Sequence, residues 1–297
     1  MKSTRQKLGA LLFTLPALLL LLIFLIYPAI LTIRMSLDTG AGLRITKFVG
    51  LDNFRQLFSD RLFLDLGSMS GAIINNALWL ILYVGSCLGF GLLIAALADR
   101  VSYERIVKTI FFAPLAIAAT AAGVIWLLVY APQANIGVLN GILGAAGVDP
   151  VGWLGLRLTV NYAIIAAAVW AGTGLVVVIL SAAIKAVPDE LIEAAMLDGA
   201  SPRQTFRHIV LPLIAIPISV VVVTLAISVI KVFDIVYVMS HGGPSGASRV
   251  IGYTYYVQTF ELGRGGPGAA AAVVMILVTI PIMMLNVRRF QGQEPGM

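Results

Sequence analysis

Charged side chains are scarce in this sequence. They make up 11% of its 297 residues, against about 25% in soluble domains. So few ionic groups cannot cover a water-facing surface, and the 60% share of hydrophobic residues points the same way. An integral membrane protein is predicted. Cysteine is nearly absent: Cys87 stands alone, which excludes an internal disulfide, and one thiol with His208 and His241 supplies no zinc site. No G-x-x-x-x-G-K-[ST] loop occurs, so the chain lacks the usual means of binding and hydrolysing ATP. G-x-S-x-G, H-E-x-x-H and C-x-x-C are missing too, which leaves an enzyme reading without a nucleophile, a metal or a redox pair. The net charge of +6 does not mark a nucleic-acid binder. The basic residues are scattered and no recognition motif accompanies them. In a membrane chain they report cytoplasmic loops and anionic headgroups.

What the chain has is apolar length. Uncharged runs cover residues 8–33, 73–98, 109–130, 158–184, 209–230 and 265–287. Each reaches the ~20 residues needed to cross ~30 Å of hydrocarbon. An all-α protein with six transmembrane helices is predicted. Lys2, Arg5 and Lys7 precede the first run, as in a signal peptide. The run exceeds the ~7–15 residues of a cleavable core and no small-residue cleavage site follows, so it reads as an uncleaved span with a cytoplasmic N-terminus. Six spans return the C-terminus to the same side. Charge agrees: the inside segments hold Lys2, Arg5, Lys7, Arg100, Arg105, Lys108, Lys185, Arg203, Arg207, Arg288 and Arg289, whereas the short outer segments hold only Arg157, Arg249 and Arg264. The long first outer loop adds Arg34, Arg44, Lys47, Arg55 and Arg61, and is expected to carry a short amphipathic helix capped by Asp52 and running to about Phe58. The Gly-rich stretch 131–157 is left open between a loop and a re-entrant piece. The chain thus divides into a tail and first span (1–35), an extracytoplasmic loop (36–72), a transmembrane core (73–287) and a cytoplasmic tail (288–297).

The most polar part of the second half is residues 185–213, between the fourth and fifth runs. Pro188 suits a first helical turn, and Asp189, Glu190 and Glu193 place negative charge near that helix end. Gly199 can take the left-handed conformation that ends a helix. Ser201, Pro202 and Gln204 form a capping box that starts another. The expected product is a bent elbow of two short helices on the cytoplasmic face.

Glu193-Ala194-Ala195, then Asp198-Gly199-Ala200, are followed by Ile209-x-Leu211-Pro212 about nine residues on. This pattern resembles the cytoplasmic EAA loop of the membrane subunits of bacterial ABC importers. Gly50-Leu51-Asp52-Asn53-Phe54 is similar to an outer-loop element of carbohydrate permeases. So are Val232 to Tyr237 with Gly242-Gly243-Pro244, and Trp170-x-Gly172-Thr173. The whole resembles the first permease of a heterodimeric sugar importer of the maltose and glycerol-phosphate type. That resemblance implies a type I importer fold in a prokaryotic inner membrane. It also implies a second homologous permease, two cytoplasmic ATPase subunits that bind ATP and Mg, and an extracytoplasmic solute-binding protein, with no cofactor in this chain. The residues 185–212 become the coupling loop. Glu193 is the charge contact to the ATPase, Ala194 and Ala195 allow close approach, Asp198 satisfies nearby backbone N–H groups, and Gly199 sets the bend.

For the substrate, polar groups inside apolar runs are the guide, because they are expensive in lipid. Ser228, Lys231 and Asp234 are spaced to share one helix face. Two readings stand: an ion pair of Lys231 and Asp234 at a helix end, or a lining for sugar hydroxyls. Trp170 and Thr173 are candidates for a stacking face and a hydroxyl, with plain packing as the other reading of Trp170. The function expected is half of the pathway of an ATP-driven importer of a di- or oligosaccharide. A glycerol-phosphate cargo would want several cations, and Lys231 is alone. An ion-coupled secondary transporter predicts inverted repeats and intramembrane carboxylates, and neither is visible.

Overall fold

The computed structural model describes residues 13–40, 47–68, 70–99 and 101–291, with side chains as far as 284. Lys2, Arg5, Lys7, Arg44, Arg100 and the end of the tail at 292–297 lie outside the described residues, as do the side chains of Arg288 and Arg289. Among the described residues every regular element is helical, and isolated bridges pair Asp38 with Phe48 and Asp65 with Ser70. Four helices are long and apolar enough to cross a membrane, and up to six if two bent pairs each count as one span. The chain forms two compact units.

The first unit holds residues 1–59 and 254–274. Helix α1 (Phe13–Ser36) buries none of its apolar window, so that surface is left to lipid or to a partner. Helix α2 (Asp52–Ser59) starts at Asp52 rather than after it. Asp52 therefore sits in the first turn, where its charge favours the positive helix end, and pairs with Arg55 at 3.4 Å. Asn53 is the anchor of this unit. Its buried amide donates to the carbonyls of Ser36 at 2.9 Å and Asp38 at 3.0 Å. A Cβ at Gly266 would stand 2.5 Å from the Asp38 carbonyl oxygen and 2.7 Å from the Asn53 amide nitrogen, so only glycine lets that backbone approach.

The second unit holds residues 60–253 and 275–297. Helices α3 (Ala72–Ala98) and α7 (Val160–Lys185) pack side by side and supply most of its core, including Trp79, Ile164, Val176, Val177 and Leu180. Between them along the chain lie α4 (Glu104–Phe112), α5 (Ala119–Val129) and α6 (Val138–Ala145). After α7 come α8 (Asp189–Leu197), α9 (Pro202–Leu213), α10 (Ala215–Ile230) and α11 (Asp234–Ser240). Then α12 (Ile251–Tyr256) and α13 (Gly265–Gln291) contribute residues to both units.

Uncharged amides crosslink this unit. Trp79 Nε1 donates to Asn161 Oδ1 at 2.8 Å, Asn161 Nδ2 to Asn75 Oδ1 at 3.0 Å, and Asn75 Nδ2 to the Arg249 carbonyl at 2.7 Å. Asn76 donates to the Val229 carbonyl at 2.9 Å and accepts the Ile251 N–H at 2.8 Å. Four elements are tied together by groups that would each be costly if left unpaired in so apolar a setting.

The third and fifth expected spans are not straight helices. The pair α4 and α5 bends by 104°, and the pair α9 and α10 by 68°. Proline is the cause in both. Pro114 would clash with the carbonyl one turn back, so the chain tightens into a 3₁₀ turn at Ala113–Ala116 and leaves it extended at Ile117 (ψ 129°) and Ala118 (ψ 144°). Pro217 would clash with Leu213 in a continuous helix. The break at Ile214 (φ −93°, ψ 13°) puts that proline in the first turn of α10, where a missing N–H costs nothing. The π-helical turn Phe206–Val210 gives similar relief ahead of Pro212.

The stretch 131–157 carries the short helix α6 and is folded around Asn140. This fully buried amide donates to the carbonyls of Ala131 (2.9 Å) and Val151 (3.0 Å), and accepts from the Val151 N–H (2.9 Å) and Trp153 Nε1 (3.2 Å). Asn140→Ala is expected to strand the Ala131 carbonyl, the Val151 N–H and Trp153 Nε1, at about 1–3 kcal/mol for a buried group left unpaired, while the Val151 carbonyl keeps its bond from the Trp153 N–H. Limited proteolysis of the detergent-solubilised protein should then cut within 131–157 at protease levels that leave the parent intact.

Candidate functional site

The elbow is built by backbone bonds at its bend. Pro188 (φ −59°, ψ 130°) is the N-cap residue of α8, one place before the helical turn expected for it. At the other end Gly199 has φ +79°. Its N–H bonds the Met196 carbonyl at 3.0 Å and the Ala200 N–H bonds the Ala195 carbonyl at 2.9 Å. These two bonds make a Schellman end. They also occupy the N–H groups expected to be satisfied by Asp198, and among the described residues its carboxylate makes no such bond. The capping box is present: Ser201 Oγ accepts the Gln204 N–H at 3.4 Å, and Gln204 Oε1 accepts the Ser201 N–H at 2.8 Å.

The elbow has two faces. Val187, Val210 and Ile214 are buried together, with Ile192, Phe206, Leu92 and Ile184 packed around them, so the inner face is seated on the helices behind it. Outward, Leu197 is 89% exposed and Met196 56%, beside the exposed Glu193 and Ala194. Leu191, Met196 and Leu197 are the large apolar side chains that α8 leaves exposed. Ala195 faces inward and is buried, so of the two alanines only Ala194 is open to close approach.

Below the elbow's root lies an ionic cluster. Asp99 Oδ1 accepts from Ser181 Oγ at 3.0 Å and from Lys108 Nζ at 3.2 Å. Glu104 takes a bond from Lys108, and its Oε1 lies 2.6 Å from Lys185 Nζ. The Lys108 bond, then the Lys185 bond, pull the Glu104 carboxyl down to about 2 from its ordinary 4.5. A depressed folded-state value means stabilisation that is present above the unfolded value and is lost as pH falls through the folded one. The thermal deficit of Glu104→Gln relative to the parent should therefore be constant above about pH 5 and shrink between about pH 4.5 and 2. A deficit independent of pH over that window would contradict the pairing.

The polar residues of the pathway reading fall on two sides of α7. A cavity of about 290 Å³ is lined by Trp79, Tyr83, Gly172, Ser228, Lys231 and Asp234, with Pro114 and Leu115 from the α4–α5 bend. The helical-face argument for Ser228, Lys231 and Asp234 does not hold as stated. Helix α10 ends at Ile230, Phe233 breaks the chain (φ −146°), and Asp234 begins α11. The three meet in one cavity because the chain turns there. Lys231 and Asp234 are both exposed, and among the described residues no salt bridge joins them. Trp170 and Thr173 lie elsewhere, on a separate, more apolar groove with Leu82, Phe90 and Tyr162. Helical spacing explains the split: Ala168, Ala171 and Gly172 face the first cavity, so Val169, Trp170 and Thr173 face the other way. The Thr173 hydroxyl is also committed to the Val169 carbonyl at 2.6 Å. Trp79 and Tyr83, which also line the cavity, were not among the expected pathway residues.

Residues 87–289 match the family described as binding-protein-dependent transport system inner membrane components. The chain belongs to that family. The permease is 43% identical over 283 residues to GgtC of Synechocystis sp., a permease for uptake of osmoprotective compounds, covering 94% of this chain and 98% of that one. It is 39% identical over 290 residues to AglF of Rhizobium meliloti, a permease of an alpha-glucoside transport system, covering 96% and 83%. A crystal structure of a bacterial ABC transporter that imports alginate contains a chain superposing on the permease with a TM-score of 0.83 at 23% identity, over 99% and 98% of the two chains. The permease therefore has the fold of a type I ABC importer subunit. It is a membrane component of an importer and not an enzyme; ATP hydrolysis belongs to a partner.

Proposed function

We propose that the permease forms half of the translocation pathway of an ATP-driven importer of a small neutral sugar or glycoside, and that it receives the energy through α8. The observation that carries the coupling reading is the exposed outer face of that helix. Leu197, Met196, Ala194 and Glu193 stand clear on an element whose inner face is anchored and whose angle is fixed by backbone bonds. A rigid helix seated in this way transmits a rigid-body movement where a floppy loop would dissipate it. Glu193 and Asp198 supply the charge that would meet a basic groove of an ATPase. In this reading ATP and Mg reside in two ATPase subunits, a second homologous permease completes the pathway, and a solute-binding protein delivers cargo from outside. In this reading each bent pair counts as one span, giving six crossings, and the basic residues of the short loops support cytoplasmic termini and a cytoplasmic elbow. The division into 1–35, 36–72, 73–287 with the loop 185–212, and 288–297 follows from that topology.

Lys231 is the single cation at the cavity, which suits hydroxylated neutral cargo better than a phosphate ester. A relative named for alpha-glucosides supports the same class. Two measurements test the proposal. Affinity purification of the permease from its own cells should bring down a sister permease and two copies of an ATPase; recovery as a stable solitary protein counts against coupling. Calorimetry on the cognate solute-binding protein should show binding of neutral glycosides and none of glycerol phosphate; the reverse preference overturns the cargo.

A further inference from the structure

The ionic cluster contains one unpaired acceptor. Asp99 Oδ2 is buried with no hydrogen-bond partner, whereas Oδ1 of the same carboxylate is bonded to Ser181 and Lys108. A buried carboxylate oxygen without a donor is costly. Lys185 lies near the other oxygen of the same carboxylate. Its ammonium is 2.6 Å from Glu104 Oε1 and 3.9 Å from Asp99 Oδ1, and its side chain is 52% exposed while that of Asp99 is 15% exposed. One cation thus faces two carboxylates and is bonded to one.

The chain order gives this arrangement a direction. Lys185 is the last residue of α7, and α8 begins four residues later at Asp189. Between them Val187 is buried in the apolar seat of the elbow, so the root of α8 and the end of α7 are held to the same small core. Glu104 is the first residue of α4. The far end of that helix runs into the Ala113–Ala116 turn, whose Pro114 and Leu115 line the cavity. Asp99 follows α3 directly and is held to α7 through Ser181, within the frame that does not need to move.

We propose that Lys185 is a positioning residue with two seats, bonded to Glu104 in this conformation and to Asp99 when the elbow is displaced, so that movement of α8 releases or holds α4 and with it the cavity wall. The inference rests on the coupling reading of α8. It supplies what a transmission claim requires, an element with two discrete arrangements that both ends bias. The separation of the seats is small enough to be crossed by the lysine side chain and a slight shift of the end of α7. The Lys108–Glu104 bond lies within α4 and keeps Glu104 from being stranded when Lys185 leaves, while the Lys108–Asp99 bond is given up as α4 is released.

The test uses the full complex with sister permease and ATPase subunits, all other reactive thiols removed. A reporter, Ala119→Cys on the cavity wall, is labelled with a maleimide before and after trapping with ATP and vanadate, and ATP hydrolysis is followed in parallel. With Lys185 in place trapping should change the labelling rate several-fold. Lys185→Arg reaches both seats and should keep most of that change; Lys185→Met should abolish it while hydrolysis continues. Asp99→Asn keeps the Ser181 bond but removes the second anionic seat, so its resting labelling should match the parent and its response should be lost. A full response in Asp99→Asn or Lys185→Met, or equal losses in Lys185→Met and Lys185→Arg, overturns the two-seat inference. No response in the reporter protein with the native cluster overturns the coupling reading itself.

Discussion

Gly199→Val is expected to sever transport from ATP hydrolysis in the assembled complex while leaving the permease folded in the membrane. Gly199 holds φ +79° at the bend, and no atom lies within 4 Å of where a Cβ would stand. The penalty is therefore conformational and not steric crowding by neighbours. A non-glycine residue pays about 1–2 kcal/mol in the left-handed region, more when branched at Cβ. That shifts the ratio of bent to unbent elbows by roughly five- to thirtyfold. Losing the bend also frees the Met196 and Ala195 carbonyls that close the end of α8. Transport-coupled ATP hydrolysis should fall by about the same factor, and Gly199→Asn should retain most of it, because asparagine tolerates this conformation. Equal activity of the valine and asparagine variants would show that the angle of the elbow is not what matters. Glu193→Lys should impair the same readout through the contact face and leave the helix ends undisturbed.

Asn76→Leu is expected to produce the largest loss of stability. The side chain is 5% exposed and satisfies two buried backbone groups, the Val229 carbonyl and the Ile251 N–H. Removing it strands the Ile251 N–H, at about 1–3 kcal/mol, and takes one of two donors from the Val229 carbonyl, which keeps its bond from the Val232 N–H. At the ~2–4 °C per kcal/mol typical of chains with 150–250 residues, the thermal midpoint should drop by at least about 2 °C. Fluorescence-detected size exclusion after heating measures this directly. The effect should reach function as well, because the Val229 carbonyl fixes the end of α10 next to Ser228 and Lys231 at the cavity. An unchanged midpoint would mean that water takes over the Ile251 N–H and that the site is wetter than its burial indicates.

Local grammar was legible in the sequence and tertiary facing was not. The glycine turn and the capping box follow from rules that span four or five residues, so the elbow could be read before any coordinates. The breaks in the third and fifth runs could not be read from apolar length, which counts residues and not direction. Pro114, Pro212 and Pro217 were in view, but prolines are tolerated in transmembrane helices often enough that their presence alone does not specify a bend. The amide network was illegible for another reason. Asn75 and Asn161 are 86 residues apart and Asn76 and Ile251 are 175 apart, so no local pattern links them. Trp170 and Thr173 were grouped with Ser228 because all are polar or aromatic groups in apolar runs. Gly172, which faces the cavity, stands next to Thr173 and two residues from Trp170, which do not, and only packing decides which face is which.

The two ends of the elbow's bend are fixed by main-chain bonds and by the Ser201 and Gln204 side chains, none of which lies on the outward face with Leu191, Glu193, Met196 and Leu197. Angle and surface are thus written in different atoms. If α8 is the coupling helix, substitutions on the outward face would retarget the permease to a different motor subunit without altering the lever.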